Sequence, residues 1–243
     1  MGSEEKGFSL MEVMVSMAVM LIITASVFQL LSQTQARSVA TATIEETTAM
    51  TRESVSLLVQ ELRLAGYPAP NSYPSGLGLT DLNSQFVAGG ITATTPYAVM
   101  FEADTDNDGV VQVFNYQLQI PAGGAIGGCA GLPVNANLTA PALMRSELPK
   151  PVGGGAAAPV FELYLGNVMN CTLGVPIFTF CAPPGGAGGC PTMPQVNSTL
   201  PAPRNTRLVM INLQVQTQVR DPATGIFRNV ELFGLAHRVN PDQ

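Results

Sequence analysis

The sequence predicts an α+β protein. One long N-terminal helix, apolar all round in its first half, packs on an antiparallel β-sheet joined by long Gly/Pro-rich loops. Three observations predict it. Phe8 to Leu31 is a run of 24 residues with one charge, Glu12. No Pro or Gly interrupts residues 8–65. Beyond that span, apolar residues recur with a period of two in the segments 110–120 and 208–219.

The helix has two halves. Residues 8–31 are long enough to cross a bilayer, for which about 20 apolar residues suffice. They follow a polar heptad, MGSEEKG, that ends in Gly7. A secretory signal peptide has a shorter apolar core with its cleavage site after it. Here the processing point precedes the apolar run, which therefore stays in the mature chain. As one continuous helix, residues 8–65 would extend about 87 Å. The second half turns amphipathic: Val55, Leu58, Val59 and Leu62 share one face, with Glu53, Gln60, Glu61 and Arg63 on others. Gly66 and Pro68 stop it. The expected organisation is a leader (1–7), a membrane-spanning half-helix (8–31), an amphipathic half-helix (32–66) and a β-rich domain (67–243) outside the cytoplasm.

Strand signals follow in order. Residues 67–95 read as an irregular loop and Tyr97–Glu102 as a short strand. Asp104-Thr-Asp-Asn-Asp-Gly109 reads as a turn. In Val110–Ile120, Phe114, Tyr116, Leu118 and Ile120 alternate with Asn115, Gln117 and Gln119, as in a sheet with one buried face. Residues 121–205 are Gly- and Pro-rich, with expected strands at Val160–Leu165 and Ile177–Cys181. Leu208–Val219 is the clearest strand, with Val209, Ile211, Leu213, Val215 and Val219 on one face. Asp221-Pro-Ala-Thr-Gly225 then turns the chain into a last strand at about 226–239.

Composition narrows the function. The formal charge is −6, and loss of residues 1–7 would bring it to −5. An acidic chain without basic clusters argues against nucleic acid as the partner. The four cysteines, Cys129, Cys171, Cys181 and Cys190, lie beyond the membrane segment, and an even number in an exported domain suggests disulfides. Of three full pairings, Cys129–Cys171 with Cys181–Cys190 is favoured, because local pairing is common and the second bridge closes a short loop. Zinc is disfavoured: no CxxC occurs and the one histidine, His237, is remote. Asp104, Asp106 and Asp108, followed by Gly109, match the start of an EF-hand calcium loop. The twelfth position is Asn115 rather than a bidentate Glu and lies in an expected strand, which favours an ordinary polar turn.

Catalysis finds no support. The glycine clusters at 123–131, 153–155 and 185–189 lack the Lys-Ser/Thr of a phosphate loop. His237 reads as a strand side chain, and no Gly-x-Ser-x-Gly elbow accompanies it. No cofactor is expected. Met11, Met14, Met17 and Met20, at every third position, read as adaptable packing surface.

The N-terminal residues carry a family pattern. Gly7, Phe8, Ser9, Leu10, Met11 and Glu12 occur in the order of a leader ending in Gly, then Phe, a small residue, an apolar pair and Glu before an apolar helix. The chain here resembles the type IV pilin family, which includes the pseudopilins of type II secretion. The leader departs from the family by carrying Glu4 and Glu5 beside Lys6, and Gln29 lies where major subunits often have a helix-breaking proline. The resemblance implies a pilin fold, cleavage between Gly7 and Phe8 by a prepilin peptidase, and N-methylation of Phe8. It also gives Glu12 a partner. An acid costs about 2.5–3.5 kcal/mol at the bilayer centre. The α-amine of Phe8 on a neighbouring helix would offset that cost during assembly, more strongly where the dielectric is low.

Glu61-Leu-Arg-Leu-Ala-Gly-Tyr67, the Asp/Gly turn before the strand holding Tyr116 and the C-terminal hairpin resemble the PilW group of minor pilins. That likeness implies a structural, non-enzymatic pilus subunit near the filament tip. Its partners would be major and minor pilins, the peptidase and the inner-membrane assembly platform. It would be held in the inner membrane and then moved to an extracellular pilus, with a possible surface ligand at loops 121–205. The alternatives are a type II secretion pseudopilin and a membrane-anchored receptor or enzyme that does not polymerise.

Overall fold

In the computed structural model, which describes residues 9–67, 91–106, 110–123, 127–150, 158–181, 206–222 and 224–238, a single helix dominates the N-terminal third. Helix α1 (Leu10–Arg63) has 54 residues, about 81 Å of continuous helix. It contains no Pro or Gly, and its last turn gives way at Gly66, whose φ of 84° suits a residue without Cβ. The departing backbone is caught at once. Gly66 N–H donates to Glu102 O at 2.8 Å, and Asp104 N–H donates to Tyr67 O at 2.9 Å.

The strands form two sheets rather than the one expected. The first has the order β1 (Ile91–Thr95), β2 (Ala98–Ala103), β3 (Gln112–Pro121), β5 (Ala142–Pro149), β6 (Glu162–Leu165), and a two-residue β4 (Val134–Asn135) pairs with β3. Most of its pairs are antiparallel, but β3–β4 is parallel. The second is β7 (Phe178–Cys181), β8 (Leu208–Arg220), β9 (Phe227–His237), all antiparallel. A four-residue helix, α2 (Asn170–Leu173), lies between β6 and β7. The α+β class holds, with a long helix packed against antiparallel sheets.

Alternation explains the core. Phe114, Tyr116 and Leu118 of β3 are fully buried, and Phe101 of β2 stacks on Phe114 at 5.1 Å between ring centroids. In β8, Val209, Ile211, Leu213 and Val215 are buried in turn. Val219 is not. It is 47 % exposed, in the run Gln218–Arg220 where every residue is exposed and across which the β8–β9 register shifts. Three strands arise where none was expected: β1, at the end of the segment read as loop 67–95, and β4 and β5, inside the Gly/Pro-rich region. The expected segments around 97–102, 110–120, 160–165, 177–181, 208–219 and 226–239 contain β2, β3, β6, β7, β8 and β9.

Helix and sheets share one core. Leu58 and Leu62 of α1 are fully buried in the cluster that also holds Phe101, Tyr116, Ile211 and Ala236. The approach to β9 is close. A Cβ on Gly234 would lie 2.7 Å from Val55 Cγ1 and 2.8 Å from Val59 Cγ2, so only glycine lets the strand lie this near the helix. Fully buried Arg238 donates to Ala65 O at 3.3 Å and to Thr206 O at 2.8 Å. It places a cation at the carbonyl end of α1, where the helix dipole favours positive charge.

Candidate assembly site on the N-terminal helix

The first half of α1 has no cover. Every described residue from Ser9 to Gln35 is exposed, including Leu10, Met11, Met14, Met17, Met20, Leu21, Ile22, Phe28 and Leu30. Among the described residues this is the one helix long and apolar enough to cross a membrane, with a mean hydropathy of 2.2 in its best 18-residue window and none of that window buried. So large an apolar surface demands lipid or other apolar helices around it.

Four of its hydroxyls bond back to the preceding turn. Thr24 Oγ1 donates to Met20 O, Ser26 Oγ to Ile22 O and Thr34 Oγ1 to Leu30 O, each at 2.8 Å. Ser16 Oγ donates to Val13 O at 2.9 Å. Hydroxyls bonded back to the preceding turn do not need water, so the segment suits a medium that offers none. The one charged residue of the run is Glu12. It stands exposed in the first turn of α1, where the N-terminal end of the helix dipole favours an acid. Gly7 and Phe8 lie outside the described residues. The methionines at 11, 14, 17 and 20 are all exposed on this stem.

The other end of the helix is fixed to the domain by a polar cluster that the sequence did not reveal. Glu61, expected off the apolar face, is buried. Arg145 of β5 donates through Nη2 to Glu61 Oε1 at 2.8 Å and through Nε to Tyr116 Oη at 3.0 Å. Tyr116 O–H donates to Glu61 Oε2. Arg145 also reaches Glu147 at 2.6 Å and lies 5.2 Å from the Phe114 ring centroid. Tyr164 packs edge-on against Tyr116 and donates to Ser54 O at 2.6 Å.

These contacts set protonation. Burial, followed by the Glu61 charge, holds the Tyr116 phenol well above its ordinary pKa, and burial does the same for Tyr164. For Arg145, burial disfavours the cation. The hydrogen bond to Glu61 and the charges of Tyr116 and Glu61 outweigh it, so the guanidinium stays charged. The signal for Glu61 was its spacing. It sits three residues after Leu58, on the edge of the buried stripe.

The remaining sequence candidates are dispersed. Cys129 and Cys171 form a disulfide that ties the turn after β3 to α2. Cys181 is disulfide-bonded as well, and Cys190 lies outside the described residues. Asp104 is buried beside the end of β2, Asp106 Oδ1 accepts from Gln112 Nε2 at 3.4 Å, and Asp108 lies outside the described residues. No group of three potential metal ligands converges among the described residues. His237 ends β9 with its side chain exposed.

Residues 3–28 match the family model of the prokaryotic N-terminal methylation motif. The match takes in residues 3–7, Phe8, Glu12 and most of the apolar run. No curated protein and no solved structure matches the chain. The N-terminus of the chain is thus similar to the prokaryotic N-terminal methylation motif, and the match covers 26 of its 243 residues.

Proposed function

We propose that this chain is a minor subunit of a type IV pilus, of PilW type, that helps to initiate assembly near the filament tip. The observation that carries the reading is the uncovered apolar half of α1 with the methylation motif at its start. A prepilin peptidase cuts after Gly7 and methylates Phe8. The stem holds the protein in the inner membrane until it is drawn into the filament, where other pilin stems replace lipid around it. Glu12 then meets the α-amine of Phe8 on a neighbouring subunit, and that pair sets the stagger. The role is structural, not enzymatic. The likeness of Glu61–Tyr67 and the C-terminal hairpin to the PilW group supports the finer assignment.

Intact-mass and N-terminal peptide analysis of filaments sheared from cells tests it. The expected result is a chain that begins at methylated Phe8 and co-purifies with pilin. Recovery only with an assembled secretion pseudopilus would make it a type II pseudopilin. Recovery of unprocessed, dispersed copies in the membrane would overturn assembly altogether.

A further inference from the structure

The β8–β9 hairpin runs back along the stem toward its apolar half. Two anchors fix its direction. Gly234 faces Val55 and Val59, and Arg238 reaches Ala65. From Gly234 to Arg238 a strand advances about 13 Å at ~3.3 Å per residue. The helix covers about 12 Å between the matching levels at ~1.5 Å per residue. Strand and helix therefore run side by side in the same direction. Counting back the same way, the eight residues from Gly234 to Ile226 span about 26 Å, which brings Ile226 level with roughly Ala40. Ile44, Thr47 and Thr48 of α1 are half-buried, as expected if strands lie over them, and β8 and β9 are the main packing partners of the helix.

The hairpin end has the composition of an interfacial anchor. Ile226 is 66 % and Val219 47 % exposed. Arg220 lies over the Phe227 ring, 4.8 Å from its centroid, and Arg228 is paired with a largely buried Asp221. The turn is held firmly. Asp221 N–H donates to Ile226 O at 2.9 Å, Gly225 N–H donates to Asp221 O at 2.7 Å, and Arg220 donates to Gly225 O. A net positive tip stands out on a chain of charge −6.

From Leu31, the end of the apolar run, to Ala40 is about 14 Å along the helix. The headgroup layer occupies roughly 5–7 Å of that, and the arginine side chains with a modest stem tilt span the rest. We propose that, before extraction into a filament, this hairpin end rests on the outer surface of the membrane that holds the stem. Arg220 and Arg228 meet anionic headgroup phosphates, and Ile226 and Val219 enter the interface. A second contact of this kind fixes the rotation of the domain about its stem. The proposal rests on the membrane-held stem of the reading above.

The chain has no tryptophan, so a single one reports its own depth. The full-length protein is reconstituted in phosphatidylcholine–phosphatidylglycerol vesicles containing lipids brominated at shallow or deep acyl positions. I226W is compared with V19W in the stem and with L163W, at the exposed Leu163 beside Tyr164, which is bonded at the level of Ser54. All three positions are exposed, so folding is not at risk. The expected result is deep quenching of V19W and shallow quenching of I226W several-fold above L163W, falling when phosphatidylglycerol is left out. Quenching of I226W no greater than L163W, with V19W quenched, overturns the proposal. An unquenched V19W overturns both the proposal and the membrane-held stem beneath it.

Discussion

Arg145 and Glu61 join sheet to stem: Nη2 lies 2.8 Å from Oε1, and Nε completes the fork toward Oε2 at 3.4 Å and the Tyr116 hydroxyl at 3.0 Å. Removing one member of a buried pair leaves the other charge uncompensated. Arg145→Met is therefore expected to cost about 3 kcal/mol, at the low end of the usual range because its side chain keeps 24 % exposure. The double change E61M/R145M should cost less than R145M alone, since it leaves no orphan charge. Urea unfolding of the full chain in detergent measures both. A double variant weaker than the single would show that the pair itself, not the avoidance of a stranded charge, holds the joint.

Alkaline pH should loosen the same joint. Tyr116 and Tyr164 have folded-state pKa values raised above the ordinary 10.0. A raised pKa means stability that is intact below the unfolded value and lost as pH climbs through the folded one, because the unfolded chain ionises first. Stability should thus be flat with respect to these two groups below about pH 9 and fall above about pH 10. Ultraviolet titration of the native protein should show two of the five tyrosines ionising only as the fold is lost. Y116F should flatten the alkaline slope while removing about 1 kcal/mol of hydrogen bonding at neutral pH.

That joint also marks where the sequence stops being legible. Strands β3 and β8 are readable because buried positions such as Phe114, Tyr116, Val209 and Ile211 are apolar and strictly alternate. Strand β5 is not. Its register sets Leu143, Arg145 and Glu147 opposite Leu118, Tyr116 and Phe114, so two charged residues occupy the face that pattern reading expects to be greasy. Glu61 misleads for the same reason, as a charge on the buried edge of a helix. Alternation reports which face is buried but not which strand is the neighbour, so two sheets read as one. The apolar stem is legible, because crossing a bilayer demands length and composition rather than a partner.

Close approach at Gly234 yields a packing prediction. Gly234→Ala puts a methyl within 2.8 Å of two β-branched side chains on α1, Val55 and Val59, which have little rotamer freedom in a helix. Strand and helix must separate, at a cost of about 1–3 kcal/mol. Val55→Ala should recover part of that loss in the double variant while being destabilising on its own. A thermal-unfolding cycle measures the coupling, and strictly additive losses would mean that helix and strand move apart without strain.

The Cys129–Cys171 bridge closes a loop with a sequence separation of 42 and pins α2 beside the turn after β3. Chain-entropy arguments assign such a loop about 4 kcal/mol. The double change C129S/C171S is therefore expected to lower unfolding free energy by about 2–4 kcal/mol while leaving both sheets in place. Mutation is preferred to reductant because Cys181 is bridged too. Urea unfolding read at equilibrium gives the loss, and far-ultraviolet dichroism at low denaturant checks that the strands persist.

Glu12 is the one charge on an otherwise apolar, uncovered stem, standing in the first turn of α1. The backbone of that turn closes without its side chain: Glu12 N–H and Val13 N–H bond to Ser9 O at 2.9 and 3.2 Å. Within the membrane an acid near an interface costs less than one at the centre, so insertion tolerates it. In the proposed assembly its partner is a neighbour's amine. Glu12→Ala should leave membrane insertion and leader cleavage unchanged and reduce incorporation into sheared filaments at least about tenfold, as loss of roughly 1.4 kcal/mol or more from a low-dielectric pair implies. Glu12→Gln keeps shape and hydrogen bonding but not charge. It should fall with Ala rather than with wild type. Quantitative immunoblotting of sheared and membrane fractions reads both, and wild-type incorporation of either variant would remove Glu12 from the assembly contact.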